Sequence, residues 1–123
     1  MNALHTPTET VRIDLADRSY DILIGENLLG EAGTYGQLPK AAAALIVTNT
    51  TVSPLYEAAL RQALSVHYKS IHSIQLPDGE VYKDWLTLNL VFDSLLSRAC
   101  DRKTVLFALG GGVVGDMTGF AAA

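Results

Sequence analysis

At 123 residues, 49% of them hydrophobic and 18% charged, the chain has the composition of one globular domain rather than of a disordered or fibrous polypeptide. Its net charge of −4, with nine scattered Lys and Arg, argues against a nucleic-acid partner. Its apolar stretches fall far short of the ~20 residues that span a bilayer, and residues 1–10 lack a signal-peptide core, so the expectation is a cytoplasmic protein without a membrane partner.

Residues 1–9 read as a flexible tail. Val11, Ile13 and Leu15 alternate with Arg12 and Asp14, and Tyr20, Ile22 and Ile24 repeat the pattern, which predicts a half-buried antiparallel hairpin. Residues 25–36 carry several glycines and allow one short helix at best. The continuous apolar run 41–47 predicts a strand buried on both faces of a parallel sheet. Ser53 and Pro54 are placed to cap and open a helix whose apolar face is Leu55, Ala59, Leu60, Ala63 and Leu64. A weaker strand covers 71–76, a turn 77–79, and a long helix about 82–99 with a stripe of Trp85, Leu88, Phe92, Leu95 and Leu96. Another buried strand at 104–109 enters Gly110, Gly111 and Gly112 and a last helix.

This alternation predicts an α/β fold, a Rossmann-like parallel sheet with a leading β-hairpin. Ligands of such sheets sit off the carboxyl ends of the strands, and the chemically unusual segments 48–51, 78–83 and 110–116 all fall there.

Gly110, Gly112 and Gly115 satisfy G-x-G-x-x-G between a strand and a helix. Such glycines let a pyrophosphate reach the backbone amides at a helix N-terminus, yet any strand-to-helix turn recruits glycine as well. Asp116 is either an acid complementing the helix N-terminus or a buried carboxylate that meets a ligand. Gly115 and Gly119 leave a bare strip suited to close packing on a strand or a cofactor. Glu80 and Lys83 make either an exposed ion pair or a ribose and phosphate contact. Asn49 either hydrogen-bonds a ribose or, with Thr51, closes the entry turn of the next helix. His5, His67 and His72 match no metal-ligand spacing, and Cys100 reads as an incidental thiol.

The run 108–122 (ALGGGVVGDMTGFAA), the segment 76–83 (LPDGEVYK) and the stretch 47–52 (VTNTTV) followed by Pro54, Leu55 and Tyr56 resemble the 3-dehydroquinate synthases in order and spacing. The glycine loop with its aspartate is shared with glycerol and iron-dependent alcohol dehydrogenases; the longer run and residues 78–83 single out the synthases. The resemblance implies a lyase of the shikimate pathway that converts 3-deoxy-D-arabino-heptulosonate 7-phosphate to 3-dehydroquinate plus phosphate, with NAD as a regenerated cofactor. It implies NAD contacts at Asn49, Glu80, Lys83, Gly112, Val113, Val114, Gly115 and Asp116, with Asp78, Gly79 and Tyr82 in the same segment. Asn49 stands where some relatives have aspartate, so the charge is absent there.

The same resemblance implies an incomplete domain at 10–123 and a protein roughly three times longer, in the range of two-domain enzymes. A helical C-terminal domain with a glutamate and two histidines would hold a divalent metal, zinc or cobalt, and bind the phosphorylated sugar acid. Residues 119–123 close an apolar helix without a C-cap, which fits an interrupted chain. Catalytic residues and metal ligands are then expected outside this fragment, and a homodimer at full length. The alternatives are a polyol or glycerol-type NAD-dependent dehydrogenase and a non-catalytic nucleotide-binding fragment.

Overall fold

A computed structural model describes residues 8–97 and 103–123. His5, Cys100 and the expected helix end at Ala99 lie outside the described residues. Strands β1 (Glu9–Ile13) and β2 (Tyr20–Ile24) pair antiparallel, with Val11 opposite Ile22. The hairpin is as expected in topology but not in burial. Val11, Ile22 and Leu23 are about two-fifths exposed and Tyr20 and Ile24 more than half, because no layer of the described residues covers either face. Leu15 belongs to the turn rather than the strand: its amide donates to Ser19 Oγ at 2.7 Å and its carbonyl accepts Arg18 N, which bends the chain early.

A second sheet holds β3 (Ala43–Asn49), β4 (Ser70–Leu76) and β5 (Val105–Ala108), all parallel, in the order β4-β3-β5. Central β3 is apolar at every position from Ala44 to Val47, all fully buried, as a strand covered on both faces must be. Its side chains alternate between two cores. Leu45 and Val47 pack with Leu76, Leu88, Val91, Val114 and Met117, beneath α2 (Trp85–Ser97) and α3 (Gly112–Ala122). Ala44 and Ile46 pack with Leu60, Leu64 and Tyr68, beneath α1 (Ser53–Leu64). Phe107 makes edge-on contacts with Tyr35 and Tyr68 on that second face. The short 3-10 helix Ala32–Tyr35 is the one expected among the glycines.

Three helix expectations need correction. In α1, Ser53 is not the cap. Val52 occupies that position, Pro54 falls in the first turn, and Ser53 Oγ instead bonds Glu57 and Gln75. Leu55 and Ala59 face outward, so the buried stripe is Ser53, Leu60, Ala63 and Leu64. The expected long helix is broken. Residues Glu80–Tyr82 form a 3-10 turn, and α2 begins after Asp84, whose carboxylate accepts Thr87 N at 2.8 Å as an N-cap does. That start sets the helical phase: Leu88 and Val91 are buried, Phe92 and Leu95 half-buried, while Trp85 and Leu96 are exposed. Among the described residues no helix is long and apolar enough to cross a membrane.

Candidate functional site

The carboxyl ends of β3 and β4 are tied together by side chains. Asn49 Oδ1 accepts the amides of Thr51 (3.0 Å) and Val52 (2.7 Å), closing the turn into α1. Its Nδ2 donates to Asp78 Oδ1 at 3.4 Å, and Thr51 Oγ1 donates to Asp78 Oδ2 at 2.6 Å. The turn-closing role considered for Asn49 is thus present, and Asp78 becomes the hub of a clamp across two adjacent strands. Gly79 follows with φ +133°, a conformation that L side chains rarely adopt, so glycine is required to turn the chain into residues 80–82. At the base of this corner Thr48 Oγ1 is fully buried, with no hydrogen-bond partner among the described residues.

At the end of β5, Leu109 N donates to Val47 O and Gly110 takes φ +155°. An added Cβ there would meet Val114 Cγ2 at 3.0 Å. Gly115 N donates to Gly111 O, so the amides of Gly112, Val113 and Val114 precede the first such bond of α3. Val114 is buried as a whole residue and belongs to the core, whereas Gly112 is exposed and Val113 half-buried. Added Cβ atoms at Gly111, Gly112, Gly115 and Gly119 would meet nothing within 4 Å. The strip of Gly115 and Gly119 therefore does not pack on a strand. It borders a cavity of about 890 Å³ beside β5, lined also by Leu106, Ala108 and Thr118.

Asp116 fits neither of its two expected settings. Its side chain is 62% exposed, not buried, and because α3 starts at Gly112 it lies beyond the first turn. Its Oδ2 instead lies 2.6 Å from Lys83 Nζ. Glu80 also approaches Lys83, at 3.9 Å. The hydrogen bond that Lys83 donates to Asp116 and the charges of both acids hold the Lys83 pKa above the usual lysine range. Lys83 and Asp116 rim a pocket of about 290 Å³ walled by Leu88, Met117, Trp85 and Phe120. Trp85 and Phe120 meet edge-to-face at 5.8 Å.

The segments 49–51, 78–83 and 110–116 therefore end neighbouring strands, as anticipated. Direct contacts join the first segment to the second and the second to the third. Tyr82 and Glu80 are exposed and Gly79 half-buried within this region. Sequence reasoning missed Thr51 as the partner of Asp78, and Trp85 with Phe120 as pocket walls. No local spacing signals a contact between residues so far apart in the chain. Elsewhere, His67 Nε2 lies 2.6 Å from Ala32 O. Among the described residues no group of three or more His, Cys, Asp or Glu converges to hold a metal ion.

Residues 73–123, from within β4 through α3, match the family model described as 3-dehydroquinate synthase N-terminal. The fold is that of two solved structures of 2-deoxy-scyllo-inosose synthase, each similar at TM-score 0.81 and 23% identity over 93% of this chain. One of them is complexed with carbaglucose-6-phosphate, NAD+ and Co2+. This chain spans 31% and 32% of their respective lengths, about a third of each.

Proposed function

We propose that this chain is the NAD-binding part of a sugar-phosphate cyclase of the 3-dehydroquinate synthase type. The observation that carries the reading is the coupling of three strand ends by the Asp78 clamp and the Lys83–Asp116 pair around a glycine turn. The family match over residues 73–123 supports it, since it includes both the 78–83 segment and the glycine turn.

In this reading the amides of Gly112, Val113 and Val114 receive the pyrophosphate, and Gly115 leaves room for its approach. Lys83 neutralises part of its charge. Asp78 and Glu80 address the ribose hydroxyls, Asn49 serves the same site by holding Asp78, Gly79 and Tyr82 complete that wall, and Asp116 orients the nicotinamide end. NAD, when bound, supplies hydride acceptance from a substrate alcohol and its later return, and so is regenerated. The longer protein would convert 3-deoxy-D-arabino-heptulosonate 7-phosphate to 3-dehydroquinate and phosphate, in the cytoplasm and as a homodimer. Its divalent metal, zinc or cobalt, finds no three-ligand set among the described residues, and we assign its ligands to polypeptide outside them.

Calorimetric titration of the folded chain with NAD tests the binding role; saturable binding of about one NAD per chain is expected. No heat from a sample with native circular dichroism would overturn it. Phosphate release by the product of the complete reading frame tests the reaction, with glucose 6-phosphate as the competing substrate. Release from the heptulosonate phosphate is expected, and release from glucose 6-phosphate instead would replace the assignment with another cyclase.

A further inference from the structure

We propose that the apolar face of the β1–β2 hairpin is a contact surface for a second copy of this chain, the two hairpins packing face to face across a two-fold axis. The assignment stands independently of the dinucleotide reading, and it gives the homodimer proposed for the longer protein a location.

The two faces of the hairpin differ in chemistry. By strand alternation and the register of the pair, Val11, Ile13, Tyr20, Ile22 and Ile24 share one face. Thr10, Arg12, Asp21 and Leu23 share the other, where Arg12 and Asp21 form an ion pair. The ion-paired face is the one turned toward the rest of the chain. Arg12, Asp21 and Leu23 line a cavity of about 460 Å³ with Gly33, Thr34 and Leu38, and Leu23 also borders a cavity against Tyr56 and Ala59 of α1. Of the apolar set only Tyr20 reaches either cavity, so Val11, Ile13, Ile22 and Ile24 point away from the body. An ion pair inward and branched aliphatic side chains outward is the reverse of the usual partition between interior and surface.

Such a hairpin needs cover. No other helix or strand among the described residues makes more than marginal contact with it, and a lone two-stranded hairpin is marginally stable at best in water. Its apolar face is on the order of a few hundred Å², the size of patch that marks interaction sites on monomers. The only charged group on that face is Glu9, at one end, opposite Ile24. A two-fold axis running across the strands through the Val11–Ile22 pair lays Val11 on Val11 and Ile22 on Ile22. It sets Tyr20 of one copy over Ile24 of the other. The two Glu9 carboxylates then stand at opposite rims, about 14 Å apart along the strands, farther than the screening length of about 8 Å in physiological salt. The face is therefore complementary to itself in shape and brings no like charges together. A contact of this size falls at the low end of specific interfaces, so the dimer is reversible, with a dissociation constant on the order of 10 μM.

The test is sedimentation equilibrium of the full chain from about 1 μM to 1 mM, with NAD titration of the same samples. The parent should pass reversibly from monomer to dimer. Ile22→Lys and Ile22→Glu each place two like charges on the axis and should weaken association at least about tenfold. An equimolar mixture of the two variants puts opposite charges there and should associate again. Thr10→Lys, on the ion-paired face, should dimerise like the parent. Ile22→Lys should bind NAD as the parent does, so loss of the dimer and loss of the dinucleotide site read out separately. A parent that stays monomeric throughout overturns the proposal. So does a dimer indifferent to charge at Ile22, or a mixture that stays monomeric.

Discussion

Lys83 Nζ and Asp116 Oδ2 meet at 2.6 Å, so the segment after β4 is joined to α3 by a charged contact that bridges the mouth of the aromatic pocket. Both side chains are substantially exposed, at 41% and 62%, and pairs of that kind add little to folding. The contact instead keeps an ammonium beside the glycine turn. Lys83→Met should leave the thermal midpoint within about 2 °C of the parent. The same change should weaken NAD binding about tenfold and flatten its salt dependence. Equal NAD affinity in parent and variant would remove Lys83 from the site. Because Asp116 and Glu80 raise the lysine pKa, its charge is complete below the usual lysine range and is lost only above it. NAD affinity should therefore show no step from Lys83 between about pH 6 and 9.

The glycines of the β5–α3 turn separate folding from ligand approach. Gly110 has φ +155° and would press an added Cβ to 3.0 Å from Val114 Cγ2, so Gly110→Ala should cost about 1–3 kcal/mol. At Gly115, inside α3, a methyl group would meet nothing within 4 Å. Gly115→Ala should thus stabilise the chain by about 0.5–1 kcal/mol through helix propensity. It should nevertheless bind NAD at least about tenfold more weakly, because the methyl group occupies the space left for the dinucleotide. Thermal denaturation paired with NAD titration checks both halves, and a Gly115→Ala chain that binds like the parent contradicts the cradle.

The sheet was legible because β3 is apolar without interruption from Ala44 to Val47, which only burial on both faces explains. The strand ends then located the three segments. Their contacts were not legible, since Thr51–Asp78 and Lys83–Asp116 depend on strand order and on where each loop turns back. Helix phase was the other loss. The expected stripe held Leu88, which is buried, but it also placed Trp85 and Leu96 in the core, where the structure has Val91 instead. In the hairpin, alternation foretold the pairing and not the burial, because a period of two says which side chains share a face and nothing about what covers that face.

Thr48 offers a test of the corner beneath the clamp. Its hydroxyl is fully buried and has no partner among the described residues, and an unmet buried polar group is destabilising. Thr48→Val keeps the shape, so it should be neutral or raise stability by up to about 1 kcal/mol in urea denaturation. A loss of that size would show that the hydroxyl does have a partner in solution.

Glu57 links α1 to β4 and gives the fold an acid limb. Its carboxylate accepts Ser53 Oγ at 2.9 Å and Arg61 Nη2 at 3.3 Å, while Arg61 also donates to Ile71 O and Ser73 Oγ. Partial burial pushes the Glu57 pKa up, but bonds from Ser53, Ser73 and Arg61 and the arginine charge outweigh it, so the pKa lies below its ordinary 4.5. A depressed carboxyl pKa contributes stability that is complete above the unfolded value and lost as pH falls through the folded one. The parent should therefore lose stability on acidification below about pH 4.5, with Glu57 contributing part of the slope. Glu57→Gln should cost about 1 kcal/mol at neutral pH, through weaker bonds to Ser53 and Arg61. By about pH 3 that difference should shrink, because the parent carboxyl is then becoming neutral too. Urea denaturation of both proteins across this range measures the difference, and parallel acid limbs would show that Glu57 carries none of the pH dependence.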